Sequence, residues 1–350
     1  MTTLAPMTSL ALPRRWRVPG WGLALLLALL AELTYFTLTA RYFTEGGPAG
    51  TLALAEEFAP TGILALGMAM VILTGSIDLS AGANASLAAI LVGTGLEKHY
   101  NPWACVVAAI AAATLVGLVN GAIVAFLGID SLLVTLATQF IVVSTGTSVA
   151  GASPPYGFPG PFLDLGQGAA AGLPYDVLIF LLLGLATIAL VNYTTLGRSL
   201  VLAGFSQRAA RYTGIATRGT LTSVFTLSGA FAGVAGVLLA AYYDSAQPDI
   251  GTILLLPAIT TVVLGGVDIF GGRGRIGEVI IAVFLLGYLS QGMLIDGFSS
   301  LTIAMVTGLL LIVALVLKIS LERNFRLLAA RLRRLRTLHP RPHPPPPAPG

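Results

Sequence analysis

The chain has 350 residues, of which 56% are hydrophobic and only 10% charged, with a net charge of +4. Its mean hydropathy is +0.88, which excludes an ordinary soluble domain and points to a lipid bilayer. One cysteine, Cys105, and three histidines exclude an internal disulfide and any metal-ligand spacing. The basic residues sit beside apolar spans, so topology accounts for them better than nucleic acid does.

A hydrocarbon core about 30 Å thick needs roughly 20 helical residues, and with that ruler ten spans are read in chain order. They run near 21–40, 58–75, 79–95, 103–126, 131–150, 175–192, 220–243, 253–270, 276–295 and 300–318. The predicted fold is therefore an all-α polytopic membrane bundle of about ten transmembrane helices. A cytoplasmic N-terminal segment, 1–20, precedes a transmembrane domain, 21–318, and a cytoplasmic tail. The first span follows Arg14, Arg15 and Arg17 but is too long for a cleaved signal and reads as retained.

Threading these spans from a cytoplasmic N-terminus leaves only Arg41 and Lys98, of 19 Lys and Arg residues, outside. Both termini are thus expected in the cytoplasm of a bacterial inner (plasma) membrane protein. The tail, 319–350, is basic and then proline-rich. Its arginines alternate with leucines as in a helix lying on membrane lipid, and RPHPPPPAPG cannot build a core.

Residues 62–93 would form a helix of about 50 Å, too long for a bilayer, and Gly75 and Gly82 bracket Ser76, Asp78, Ser80 and Asn84. A discontinuous or tightly turned segment is expected near 75–84. Either it is a cytoplasmic turn in which Asp78 caps the next helix, or it is a broken helix whose polar groups meet a solute. Asp78 at membrane depth costs about 2.5 to 3.5 kcal/mol, so it should face protein, water or a partner.

The stretch 197–220 carries four arginines and no acid. Ser206 is placed to cap a short helix that stops at Gly214, as either an ordinary positive-inside loop or a loop that transmits force from a cytoplasmic motor. In residues 257–277, paired glycines enclose Asp268, but the run follows a span and not a strand, so it is a weak dinucleotide fingerprint. Lys98 and Lys318 follow Glu97 and Leu317, so no phosphate-binding lysine motif is present. Asn120 and Ser228, each beside a glycine, read as interhelical hydrogen-bonding groups.

The segments SIDLSAG, GFSQRAARYTGI and VVLGGVDIFGGRG, in this order, resemble the permeases of ribose-type ABC importers over roughly residues 55–315. That resemblance implies cytoplasmic ATP-binding subunits, a periplasmic solute-binding protein and a second permease copy, in a homodimer or heterodimer. It also implies that Asp78, Leu79 and Ser80 belong to the segment beside the translocation path, to which the polar cluster adds Ser76 and Asn84. Gly204, Arg208, Ala209, Ala210, Arg211 and Gly214 would belong to the loop that couples to the ATPase. LLLPAITTVVLGG, with GYLSQGML after it, looks most like the autoinducer-2 import branch, because Leu255, Leu256 and Pro257 stand where many sugar permeases carry acids. The expected function is a transport subunit, not an enzyme, that moves a monosaccharide or sugar-like solute and uses no cofactor or metal. The competing class is an ion-coupled secondary transporter, for which Asp78 is the candidate carboxylate.

Overall fold

The computed structural model describes residues 20–39, 47–313 and 315–316. Residues 1–19 and the basic, proline-rich tail lie outside the described residues. Each of the ten expected spans falls on a helix. These are α1 Trp21–Thr39, α3 Ala59–Leu73, α4 Ala81–Glu97, α5 Pro102–Ala122, α6 Ser131–Ala150, α8 Tyr175–Tyr193, α11 Thr217–Tyr243, α12 Leu255–Leu264 and α13 Ile276–Ile295, with α14 at Ser300–Val313. The helices of 18 or more residues that are apolar enough to cross a membrane are α1, α5 with its continuation, α6, α8, α11 and α13. Four short helices join them: α2 Gly47–Ala53, α7 Gly160–Gln167, α9 Thr195–Phe205 and α10 Gln207–Tyr212.

In lipid, apolar side chains gain little by leaving the tails for a neighbouring helix, so tight packing must hold helices together. The glycines of α11 supply it. A side-chain carbon at Gly229 would lie 2.5 Å from the Ala113 carbonyl oxygen, and one at Gly233 would lie 3.0 Å from the Cα of Ile110. A carbon at Gly236 would overlap the Ala85 carbonyl, and one at Gly117 would overlap that of Phe225. These contacts run α5 antiparallel and α4 parallel to α11. With 27 residues, α11 is about 40 Å long, and it forms the mast on which α3, α4 and α5 pack.

Helix α3 is apolar on every side and buried on nearly every side, with Ile63, Leu64, Leu66, Met68, Met70, Ile72 and Leu73 essentially inaccessible. A helix with no polar face belongs inside a bundle. On the outside, α1 runs parallel to α13: Gly22 sits against Glu278, and Gly292 receives the ring of Phe36. The Trp21 indole donates to the Leu264 carbonyl at 3.0 Å and fixes the start of α1.

The eighth span differs from expectation. Its helix, entered through a 3-10 turn at Thr252–Leu254, ends at Leu264 and does not continue to 270. Gly266 adopts φ +82, and Gly271, Gly272 and Gly274 are also at positive φ, conformations that end a helix and that glycine tolerates best. The long loop after α6 is ordered by α7 and a two-residue antiparallel pair, Ala169–Ala170 with Leu173–Pro174. It is anchored where the Phe158 amide donates to Asp244 Oδ1 at 2.6 Å.

Candidate functional site

Between α3 and α4 the chain leaves the helix, turns, and goes back into the bundle. Helix α3 ends at Leu73, Gly75 takes φ +77, and α4 starts at Ala81. Gly82 therefore lies inside α4. It packs there, since a side-chain carbon would stand 2.8 Å from the Gly251 carbonyl oxygen.

Unwound backbone in such a place needs hydrogen-bond partners, and one face of α6 provides them. The Ile77 amide donates to Ser131 Oγ at 3.2 Å and the Leu79 amide to Thr135 Oγ1 at 3.0 Å. Thr135 Oγ1 in turn donates to the Ser131 carbonyl at 2.8 Å. Ser131, Thr135 and Thr138 recur at helical spacing, and this was the sequence signal available for finding them.

Asp78 is 2% exposed, and three donors meet its carboxylate. Ser80 Oγ donates to Oδ1 at 2.6 Å, the Ser80 amide to the same oxygen at 3.1 Å, and Ser228 Oγ to Oδ2 at 2.9 Å. The chain of bonds continues outward: Asn120 Nδ2 donates to Ser80 Oγ at 2.9 Å, and Thr138 Oγ1 donates to Asn120 Oδ1 at 2.6 Å. Asn84 Nδ2 donates to the Ala113 carbonyl at 2.9 Å. Ser228 lies eleven residues into α11, about 16 Å along its axis from Thr217. The expected break lies here, with a tight turn at Gly75 followed by a non-helical stretch that buries Asp78. Ser80, not Asp78, occupies the N-cap position of α4, and its side chain makes no capping bond.

Ser76, Asp78, Ser80 and Asn84 are all buried within the chain, while Gly75 is exposed and Ile77 and Leu79 are partly exposed. The structure thus joins Asp78 and Ser80 to Asn120 and Ser228, while Asn84 bonds α5 separately; Asn120 bonds across helices as expected, and Ser228 reaches the non-helical segment between α3 and α4.

The second segment behaves as its sequence implies. Ser206 is the N-cap of α10 and accepts from the Ala209 amide at 3.2 Å. Gly214 follows at φ +82, and the Ile215 amide closes the helix onto the Ala210 carbonyl at 3.1 Å. Ala210 is buried, whereas Arg208, Ala209 and Arg211 are exposed and Tyr212 is 85% exposed. Arg211 Nε donates to Thr217 Oγ1 at 3.0 Å, which ties α10 to the start of α11. Gln207, Arg208, Arg211 and Tyr212 line a recess of about 460 Å³. Arg218, Arg273 and Arg275 belong to the same end of the bundle: Arg218 stands over the Phe126 ring and Arg273 over the Phe205 ring. Among the described residues, no group of three His, Cys, Asp or Glu side chains is placed to hold a metal.

A many-helix apolar bundle with an internal hydrogen-bonded break and a short, exposed cationic helix at one end has the make-up of a polytopic membrane permease. The chain belongs to the family described as "Branched-chain amino acid transport system / permease component", which matches residues 50–315. It is a transport subunit. Among its relatives, the protein named "Autoinducer 2 import system permease protein LsrD" from Yersinia pseudotuberculosis serotype O:3 (strain YPIII) is 33% identical over 316 residues, covering 88% of this chain and 94% of the relative. The proteins of that name from Yersinia enterocolitica serotype O:8 / biotype 1B and Yersinia pestis (strain Pestoides F) are also 33% identical. Each alignment covers 88% of this chain, with 95% and 94% of the relative. No solved structure matches the chain.

Proposed function

We propose that this chain is the permease of an ATP-driven importer whose cargo is a small sugar-like solute, with autoinducer-2 the first candidate. The observation that carries this reading is the near full-length similarity to proteins named for autoinducer-2 import, at 33% identity over 88% of the chain. The family description names another solute class, so the cargo is argued from the relatives' names and not from the family.

In this reading both termini are cytoplasmic, the arginine end of the bundle faces the cytoplasm, and α10 docks on an ATP-binding subunit. The exposed Arg208 and Arg211 support this, as does the recess beside them. A solute-binding protein delivers cargo at the opposite face, and a second permease copy completes the path. Asp78 and Ser80 hold the broken segment from behind, Asn84 ties α4 to α5, and Ser76 is buried beside the turn. Leu79, with Ile77, is the part of the broken segment still accessible from the path. Binding of the solute must differ between two states of the pair, since equal affinity for both would shift nothing.

The test is energised uptake of labelled pentoses, hexoses and autoinducer-2 in cells with and without this permease, repeated after ATP depletion. Loss of ATP-dependent autoinducer-2 uptake on deletion supports the assignment. Unchanged uptake across the panel overturns it, and uptake that survives ATP depletion but follows an ion gradient would replace it with secondary transport.

A further inference from the structure

Three backbones meet just below the Asp78 cluster. The Gly272 amide donates to the Leu73 carbonyl at 2.9 Å, which ties the loop after α12 to the last turn of α3. Gly204, near the end of α9, fits against both ends of that bond: a side-chain carbon there would overlap the Leu73 carbonyl oxygen and the Gly272 amide nitrogen. A carbon at Gly271 would lie 2.5 Å from the Gly75 amide nitrogen and 3.1 Å from the Cα of Gly204.

Side chains close the same junction from outside. A carbon at Gly272 would stand 2.8 Å from Cγ of the Phe205 ring, so that ring lies directly against the glycine. The Arg273 guanidinium sits 5.8 Å from the ring centroid and reaches Asp268 at 3.8 Å.

Contacts of backbone on backbone leave no flexible side chain between the parts to absorb a displacement, and packed elements of this kind move together. Gly204 is three residues before α10 and Gly75 is three residues before Asp78. A shift of α10 therefore reaches residues 73–75, and the short stretch pinned by Ser131 and Thr135 passes it on to Asp78. We infer that Gly204, Gly271 and Gly272 form a stiff joint that carries the movement of α10 to the segment 74–80, with Phe205 as its outer clamp. These are positioning residues, and the inference rests on the reading of α10 as the ATPase-docking helix.

The test uses the complete complex of permease, ATP-binding subunits and binding protein in nanodiscs. Hydrogen exchange of the segments 204–214 and 74–80 is followed with and without ATP and vanadate. In the wild type both segments change. In Gly204→Ala and in the milder Phe205→Ala, the change in 204–214 persists and that in 74–80 is lost. Autoinducer-2 uptake per ATP hydrolysed by the same complex in proteoliposomes falls about tenfold, within the range of mutations along a coupling route. Phe205→Ala adds no atom to the joint, so it decides the matter if Gly204→Ala fails to fold. A wild-type response in 204–214 without one in 74–80, or a Phe205→Ala response in 74–80 equal to wild type, overturns the joint alone. A wild-type 204–214 indifferent to ATP and vanadate removes the docking reading and, with it, the joint's input.

Discussion

Ser228 on α11 donates its hydroxyl to Asp78 Oδ2 at 2.9 Å across 150 positions of sequence, so a single buried carboxylate fastens the broken segment to the longest helix of the bundle. Asp78→Ala leaves the Ser80 and Ser228 donors without their acceptor and is expected to cost about 3 kcal/mol of stability. Ser228→Ala removes one bond to the carboxylate and is expected to cost about 1.5 kcal/mol. Thermal unfolding of the detergent-purified variants measures both, and equal losses would show that the network does not centre on Asp78.

Glycine contacts along α11 separate two kinds of substitution. Gly117→Ala drives a methyl into the Phe225 carbonyl, and overpacking of this sort is expected to cost about 2 kcal/mol. Gly277→Ala, in the first turn of α13 with nothing within 4 Å of the added carbon, is expected to be neutral or to stabilise by about 0.5 kcal/mol. Fluorescence-detected gel filtration after graded heating ranks the pair. If both variants melt with the wild type, close approach does not hold α5 to α11.

Reversal of the charge of α10 tests docking, at the cost of the one bond from Arg211 to Thr217. Arg208 and Arg211 are exposed, and the double variant Arg208→Glu, Arg211→Glu is expected to insert normally while copurifying poorly with its ATP-binding subunit. The expected drop in copurification is about tenfold or more, because like-charge juxtaposition at an interface costs several kcal/mol. Copurification and uptake at wild-type levels would refute the assignment.

Both carboxylate oxygens of Glu32, in α1, are buried without a hydrogen-bond partner among the described residues. A polar group in that state costs about 1 to 3 kcal/mol, so Glu32→Leu is expected to raise the melting temperature by about 2 °C or more. A fall would mean that the carboxylate is engaged.

Hydropathy made the bundle legible because lipid imposes one length and one composition on every span. Gly75 and Asp78 likewise announced a break, since neither sits easily in the middle of an apolar helix. The end of α12 was harder to see: VVLGGVDIF is interrupted only at Asp268, so the apolar run passes the helix end, and the left-handed φ of Gly266 marks the stop. The α6 partners of the broken segment and of Asn120 were less legible again. Ser131, Thr135 and Thr138 share a helix face in the sequence, but the side of the bundle that this face meets is set by how α4 packs between α6 and α11. Helix α9 was missed. Its buried Leu200 and Ala203 make a stripe too short to stand out beside the long apolar runs.

The junction between Asp78 and Ser228 also has an order in time. At about 5 to 20 residues per second of synthesis, the carboxylate enters the membrane roughly 8 to 30 s before the hydroxyl that holds it has been made. Until then α3, α4 and α5 flank a slot that only α11 can fill, and the early half of the chain cannot settle alone. The bond that closes the break is thus among the last that the chain can make, because it waits for α11.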